Sequence, residues 1–458
     1  MQVTNNLTKG SVFGNIIRFS LPFFLSYFLQ TLYGLADLFI TGQYNGADTI
    51  TAVSVGSQIM HMLTVIIVGL AMGSTVTIGR YVGGNDLKKV SRTIGNTIIL
   101  FGLLSLVLMT VLLLGTDGIV RLLSTPDESV AETKKYLIIC FAGIPFIVAY
   151  NIISSVFRGL GDSKSPMYFI AVACVINILI DYIFIGLFNM GAAGAAFGTV
   201  ISQFFSVIFA LITIKYKKIE FGVTKKDLKP DMQVMAGILK IGVPVAVQDG
   251  LIQVSFIIIT IIANNRGVTV AAAVGIVEKI ISFLFLVPSS MLSTISAIAA
   301  QNSGAGLHGR AKQTLMYGIL IAAGLGLFFA VVFQFIATPV MGLFTDEEQV
   351  IIMGSQYLKA YVIDCFVAGI HFCFSGYFCA YGRSMISFIH NLISILVIRV
   401  PGVYLASQYY PDTLYPMGLA APAGSLLSAV ICIAAFFIIT KKMNTKSKEA
   451  TLVKGSNI

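Results

Sequence analysis

The sequence predicts an all-α polytopic membrane protein: twelve transmembrane helices arranged as two parallel six-helix repeats. Composition, recurrent apolar runs and a weak internal repeat carry that prediction. Of 458 residues, 57% are hydrophobic and only 11% charged, against roughly 25% charged in ordinary soluble chains. Apolar runs long enough to cross a hydrocarbon core of about 30 Å as helices recur along the whole length.

Reading those runs between loop signals places spans near 15–40, 51–79, 93–115, 135–157, 166–188, 192–214, 235–262, 270–299, 313–337, 355–379, 385–409 and 416–440. Several exceed what a perpendicular crossing needs, which predicts tilt or kinks. Pro22, Pro145, Pro244, Pro288 and Pro401 are the kink candidates, because proline removes a helical hydrogen bond. The opening "MQVTNNLTKGSVFGNIIRFSLPFF" has no small-residue cleavage site after its first apolar stretch, so it reads as a retained first span. All six cysteines fall inside apolar runs and read as small buried hydrophobes, without disulfide or zinc spacing.

Charge sets the expected orientation. Alternate loops carry "RYVGGNDLKKVSR", "RGLGDSK", "KYKKIEFGVTKKDLK", "GRAK", "YGRS" and "KKMNTKSK", whereas the opposite loops are poor in Lys and Arg. Lys/Arg excess marks the cytoplasmic side, so both termini are expected there. The net charge of +10 is thereby topological, with some attraction to anionic lipid, and a nucleic-acid partner is not expected.

The long polar stretch at 215–234 falls at the midpoint. It divides the chain into an N-terminal half (1–214), a basic linker, a C-terminal half (235–440) and a tail (441–458). A displacement of about 221 residues lays "RFSLP" on "KIGVP" and "FRGLGDS" on "FCAYGRS". Each half holds an even number of spans, so the two enter from the same side and the repeats are parallel. Such halves commonly enclose a central substrate site.

Ionisable residues deep within spans are few: Asp37, His61, Asp181, Asp249, Glu278, Lys279, Asp364, His371, His390 and Arg399. A charge at a helix centre costs about 2.5–3.5 kcal/mol on insertion scales, so each needs a reason. At about 1.5 Å per residue, Asp37, Asp181, Asn177 (one turn from Asp181) and Thr199 share one depth in the outer half of the first bundle. Two carboxylates in one apolar band cannot both stay ionised cheaply, which makes a proton or small cation the natural guest. A purely structural hydrogen-bonded pair is the competing reading. In the second half Glu278, Lys279, Asp364 and Arg399 share a band, which suggests ion pairing; Asp249 sits somewhat deeper. The three span histidines are expected to pack or hydrogen-bond. The Gly-rich "NMGAAGAAFGTVISQ" reads as close helix packing by small residues; no strand precedes it, as a phosphate loop would need.

These motifs together resemble the multidrug and toxic compound extrusion (MATE) family, nearest to the bacterial and archaeal branch containing the DNA-damage-inducible F-type and MepA-type exporters. The resemblance rests on "LPFFLSYFLQTLYGLADLFITGQY", "FRGLGDSKSPM", "NILIDYIFIG", "GAAGAAFGTVISQ" and "RVPGVYL", in order on a 6+6 repeat. It implies two six-helix lobes forming a V, and alternating-access export of cationic or amphipathic drugs driven by inward H⁺ or Na⁺. It implies a cation-coupling set of Asp37, Asn177, Asp181 and Thr199, with Na⁺ there as the one metal. Pro22, Gln30, Tyr33 and Gln203 would line or gate the substrate cavity. A second candidate ion site, in the C-terminal lobe, comprises Asp249, Glu278, Asp364 and Arg399. No cofactor is expected beyond H⁺ or Na⁺, and the protein would act as a monomer in a bacterial or archaeal cytoplasmic membrane.

The alternative is a flippase for lipid-linked oligosaccharide or peptidoglycan precursors on a related fold. That activity needs a strongly basic cavity, and only Lys279 and Arg399 are Lys or Arg deep within the predicted spans. An enzyme is not expected, since the four histidines form no HExxH or His-x₃-His pair.

Overall fold

The computed structural model describes residues 6–123, 125–216 and 222–455. Residues 217–221 of the predicted linker and 456–458 of the predicted tail lie outside the described residues. The described chain is helical throughout, with no strand. In order the helices are α1 (Val12–Tyr44), α2 (Ala47–Gly83), α3 (Leu87–Leu122), α4 (Asp127–Ala142), α5 (Ile144–Gly159), α6 (Lys164–Asp181) and α7 (Gly191–Tyr216). Then come α8 (Met232–Asn264), α9 (Val268–Leu284), α10 (Leu286–Gly304), α11 (His308–Met341), α12 (Glu348–Tyr361), α13 (Asp364–Ala380), α14 (Ser384–Ile393), α15 (Val400–Tyr409) and α16 (Tyr415–Gly455). Two π-helical turns interrupt the pattern, Tyr182–Leu187 after α6 and Ser394–Arg399 after α14.

Among the described residues, eleven helical stretches are long and apolar enough to cross a membrane. The twelfth, the predicted fourth span, is broken: α4 and α5 meet at a bend of 47°. Gly143 forms the joint and Pro145 starts α5, as expected of a residue whose ring preorganises a helix start. Pro22 and Pro244 lie inside continuous helices, and Pro339 and Pro422, which had not been singled out, do too. Several helices outrun their predicted spans, because polar ends continue the helix beyond the apolar run: α3 reaches from Leu87 to Leu122, and α16 continues through the predicted tail to Gly455. Helix starts follow local chemistry. Ser11 Oγ accepts from the Gly14 amide at 3.2 Å, and an Asp86 carboxylate oxygen accepts from the Lys89 amide at 3.2 Å, both satisfying orphan donors of a first turn.

The described residues gather into two compact units. Unit 1 takes those within Met1–Gly250, Ser293–Thr314 and Cys379–Gly382; unit 2 takes those within Leu251–Leu292, Leu315–Phe378 and Arg383–Ile458. In unit 1, α2 and α8 come close enough that a Cβ on Gly73 would sit 2.1 Å from the Ile238 carbonyl oxygen, and one on Gly242 would sit 2.3 Å from that of Leu70. Helices in lipid gain little from burying apolar surface against each other, so small residues that let backbones approach supply the packing. Gly56 similarly receives the Tyr136 ring. In unit 2 the corresponding approach brings Gly326 of α11 onto the Cys365 carbonyl of α13, around a core that includes Tyr357, Tyr361 and Val277. All six cysteines are buried and none forms a disulfide among the described residues, matching their reading as small hydrophobes.

Candidate functional site

Asp37 sits on α1, near its outer end by the predicted topology. Asn177 and Asp181 lie four residues apart on α6, hence on one face, and Asp181 is its last residue before the π turn. Thr199 and Gln203 repeat the same spacing on α7. These three helices pack together within unit 1, and the structure brings the four predicted side chains to one place. Asp181, Asn177 and Thr199 all act on the Asp37 carboxylate, and Thr199 Oγ1 donates to Asp37 Oδ2 at 3.3 Å. All four are buried, with Asn177 and Asp181 at 0% exposure.

The hydrogen-bond inventory of this cluster is incomplete. Asp37 Oδ1, both side-chain polar atoms of Asn177 and both carboxylate oxygens of Asp181 are buried without a partner. Orphaned buried polar atoms cost about 1–3 kcal/mol each, more when charged; four of these five are oxygens that can accept from a proton or coordinate a cation, and the fifth, Asn177 Nδ2, is a donor. A proton on one carboxylate, or a small oxygen-seeking cation between them, would satisfy the set. Asp37, Asp181, Asn177 and Thr199 supply the oxygen donors that Na⁺ prefers. The donor set therefore fits either ion.

Gly198 makes this geometry accessible and escaped the sequence reading. It lies on α7 facing Asp181: a Cβ there would fall 1.9 Å from Asp181 Oδ1 and 3.3 Å from Asn177 Nδ2. The run "GAAGAAFG" had been read as helix packing, and Gly194 does pack against Ile185. One glycine of the run instead leaves room for a carboxylate. The π turn starting at Tyr182 was also missed. Its wider turn begins directly after Asp181, where the backbone amide of Tyr182 is shared between the Ile178 and Leu179 carbonyls.

The predicted cavity residues lie on α1 and α7, two of the three helices that carry this cluster. Pro22 and Gln203 are buried, with Gln203 Oε1 lacking a partner. Tyr33 packs with a core of Tyr150, Phe157 and Phe169, and Gln30 lies beside the Tyr150 hydroxyl.

The second candidate set is not brought together as one group. Asp249 belongs to unit 1, where its Oδ2 faces Gly69 of α2 and its Oδ1 accepts from Gln248 at 3.5 Å. Glu278, Asp364 and Arg399 belong to unit 2. The expected ion pairing is not formed: among the described residues, Glu278, Lys279, Asp364 and Arg399 make none. Shared depth is necessary for a pair, but helix azimuth decides it, and Lys279 points outward to an exposed position. Arg399 instead donates to the Tyr361 hydroxyl and lies 4.8 Å over the Phe256 ring. Glu278 accepts from Thr260 Oγ1 at 3.2 Å. Asp364 opens α13 fully buried, with both oxygens unpartnered and Arg399 and Ser425 close enough to act on it. His371 and His390 are buried with their rings 5.6 Å apart, edge to face, and Ser375 reaches His390 Nε2 at 3.0 Å; His61 is exposed.

The MatE family profile matches residues 22–183 and again 244–405, one match in each predicted half. A probable multidrug resistance protein of Bacillus subtilis, YpnP, is 30% identical over 405 residues, covering 88% of this chain and 90% of that protein. The multidrug export protein MepA of Staphylococcus aureus is 25% identical over 437 residues, 94% of each chain. Among solved structures, a MOP superfamily transporter from Pyrococcus furiosus superposes with a TM-score of 0.91 at 21% identity, covering 97% of this chain and 100% of that one. A MATE transporter of Vibrio cholerae gives 0.87 at 20% identity, covering 94% and 97%; these two likenesses concern the fold. With the family profile matched twice over most of its length, this chain belongs to the MatE family of membrane transporters.

Proposed function

We propose that this protein is a cation-coupled multidrug antiporter, exporting cationic and amphipathic compounds across the cytoplasmic membrane by alternating access. The observation that carries the reading is the buried Asp37–Asp181 pair with Asn177 and Thr199, five of whose polar atoms have no partner. The names of the Bacillus and Staphylococcus relatives, a multidrug resistance protein and a multidrug export protein, support the substrate class. Lys/Arg-rich loops on one side support termini that face the cytoplasm.

The coupling step follows from the cost of those carboxylates. Open to outside water, Asp37 and Asp181 are solvated, and the pair takes up H⁺, or Na⁺ held with Asn177 and Thr199. Neutralised, they can be desolvated without a penalty of several kcal/mol, and the outer ends of α1, α6 and α7 close. Pro22, within α1, offers a point where that helix can bend. Closure shrinks the space beside Gln30, Tyr33 and Gln203 and expels the drug outward. The cation then leaves to the cytoplasm and a new drug enters, so one cluster serves both passengers in turn. How far the cation shifts the equilibrium depends on its differential affinity for the two states.

The test is efflux of ethidium from proteoliposomes under an imposed H⁺ or Na⁺ gradient, with drug binding to purified protein at several pH values and Na⁺ concentrations. Gradient-driven efflux with cation-weakened drug binding is the expected result. If neither cation weakens binding, the competitive scheme fails; if no gradient drives efflux, the antiport reading fails.

A further inference from the structure

The polar cluster that the coupling scheme leaves unused surrounds Arg158, at the end of α5 opposite the carboxylate site. Arg158 is 8% exposed, and among the described residues its side chain makes no ion pair and no hydrogen bond; its Nε is buried without a partner. Its guanidinium carbon lies 4.4 Å from the Phe23 ring, and Tyr150 is close enough to interact with its charge. A cation–π contact offsets only part of the cost of removing a guanidinium from water, and a buried arginine normally has a carboxylate or phosphate to share that cost.

The guanidinium borders a small cavity within unit 1, lined also by Phe23, Thr75, Asn151, Ser155 and Ser293. Asn151, Ser155 and Arg158 fall four and three residues apart on α5 and so share one face. The free space is about 10 Å³ measured to the centre of a water-sized sphere, which is room for about one water-sized occupant. No carboxylate lines it. Its spare donors are those of the guanidinium, the second Asn151 amide hydrogen (the first bonds the Ile147 carbonyl at 2.8 Å) and one hydroxyl of the Tyr27–Ser293 pair at 3.0 Å. Thr75 and Ser155 have already given their protons to backbone carbonyls. A cation at this site would meet a full positive charge. A compact anion would meet that charge together with two neutral donors.

We propose that Arg158, Asn151 and Ser293 form a small-anion site in unit 1, taking either a halide or the carboxylate tip of a zwitterionic substrate. Charge and size both select the occupant: one negative charge balances the lone guanidinium, and the space excludes anything bulkier than a single such group. The halide source is independent of the transport reading; the carboxylate source rests on it.

Two measurements on detergent-purified protein separate the sources. First, Tm is compared in chloride, bromide and gluconate at equal ionic strength. Second, binding of a fluoroquinolone with a free carboxylate is compared with binding of its ethyl ester. A higher Tm in halide, lost in Arg158→Gln, supports the halide source. A fluoroquinolone affinity that falls tenfold or more in Arg158→Gln, with ester affinity unchanged, supports the carboxylate source. Ser155→Asp guards against a glutamine variant that fails to fold, because it places a carboxylate one turn from the guanidinium and inside the cavity. That variant should keep its Tm in gluconate and lose any response to halide or drug carboxylate. The proposal is overturned if wild type shows neither effect, or if Ser155→Asp retains the full anion response. Neither measurement uses a cation gradient, so a failure here is separable from failure of antiport.

Discussion

Substituting Gly198 by alanine probes the carboxylate cluster without touching any charged group. The added Cβ would sit 1.9 Å from Asp181 Oδ1. Ordinary carbon–oxygen contact begins near 3.4 Å, so the carboxylate must retreat by about 1.5 Å or α7 must move away from α6. Neither adjustment is cheap in a packed interior, where one extra methyl group typically costs about 1–3 kcal/mol. Alanine's better helix propensity returns at most about 1 kcal/mol. The net expectation is a folded protein with Tm lowered by a few degrees. Coupling should suffer more than folding, because an oxygen displaced by that distance no longer shares a guest with Asp37. Residues that orient ion ligands typically contribute about 10–100-fold in affinity, and a loss in that range is expected in the concentration dependence on H⁺ or Na⁺. Gradient-driven ethidium efflux is the assay, with Tm measured in parallel. Gly102→Ala, on α3 with nothing within 4 Å of its added Cβ, is the control and should leave both unchanged or slightly raise Tm. Wild-type efflux with wild-type cation dependence in Gly198→Ala would refute the role assigned to this cluster.

Asp37→Asn and Asp181→Asn should each abolish gradient-driven efflux while leaving a folded, inserted protein, as read by transport and by size-exclusion profile. Asp364→Asn should impair efflux less than Asp181→Asn; the reverse order would move coupling to unit 2. Gly83→Ala should cost about 3 kcal/mol or more, seen as a large Tm loss, because its Cβ would lie 1.8 Å from the Gln301 carbonyl oxygen. In the loop before α8, the Thr224 hydroxyl and amide donate to Asp227 at 2.6 and 2.8 Å and hold its carboxyl below the usual range. The stability this gives is complete above the ordinary aspartate pKa of about 3.9 and fades as pH falls through the lower folded value. Tm-versus-pH curves of wild type and Asp227→Asn should therefore converge toward the acid end.

Depth was legible in the sequence, and direction around a helix was not. A fixed rise per residue turns distance from a loop into height in the membrane, which is why Asp37, Asn177, Asp181 and Thr199 group from the sequence alone. The same reasoning grouped Glu278, Lys279, Asp364 and Arg399, and there it misled. Lys279 points away, Arg399 takes a tyrosine and a phenylalanine ring as partners, and Asp249 packs in the other unit. The π turns left no trace, since bonding five residues back has no side-chain signature comparable to a cap or a proline. Gly198 was visible only as one of several small residues, because the carboxylate it accommodates arrives from another helix. Arg158 falls in the basic loop "RGLGDSK", where it reads as a topology signal, yet it is buried. Helix count survived because apolar length is a local property, and the bend between α4 and α5 was marked in the sequence by Pro145 although the run "LIICFAGIPFIVAY" is apolar on both sides of it.

The duplication sharpens the choice between the two sets of buried carboxylates. The family profile repeats at Pro22 and Pro244, and both prolines lie inside long helices, α1 and α8. Each half also carries a π turn in its fifth span, yet the turns differ in register: Tyr182–Leu187 begins eighteen residues after the start of α6 at Lys164, and Ser394–Arg399 ten residues after the start of α14 at Ser384. In the first half the residue next to the turn is Asp181, whose neighbours are a second carboxylate, an amide and a glycine. In the second half the turn ends on Arg399, which lies close enough to Asp364 to act on it. A carboxylate that already has a guanidinium nearby gains less from an added cation, because the field it presents is largely compensated. The Asp37–Asp181 pair has no basic side chain acting on it among the described residues. The buried charges of the two halves therefore differ although the family profile matches both. Under the proposed antiport, the carboxylate pair without a neighbouring basic group is the one that takes up the coupling ion.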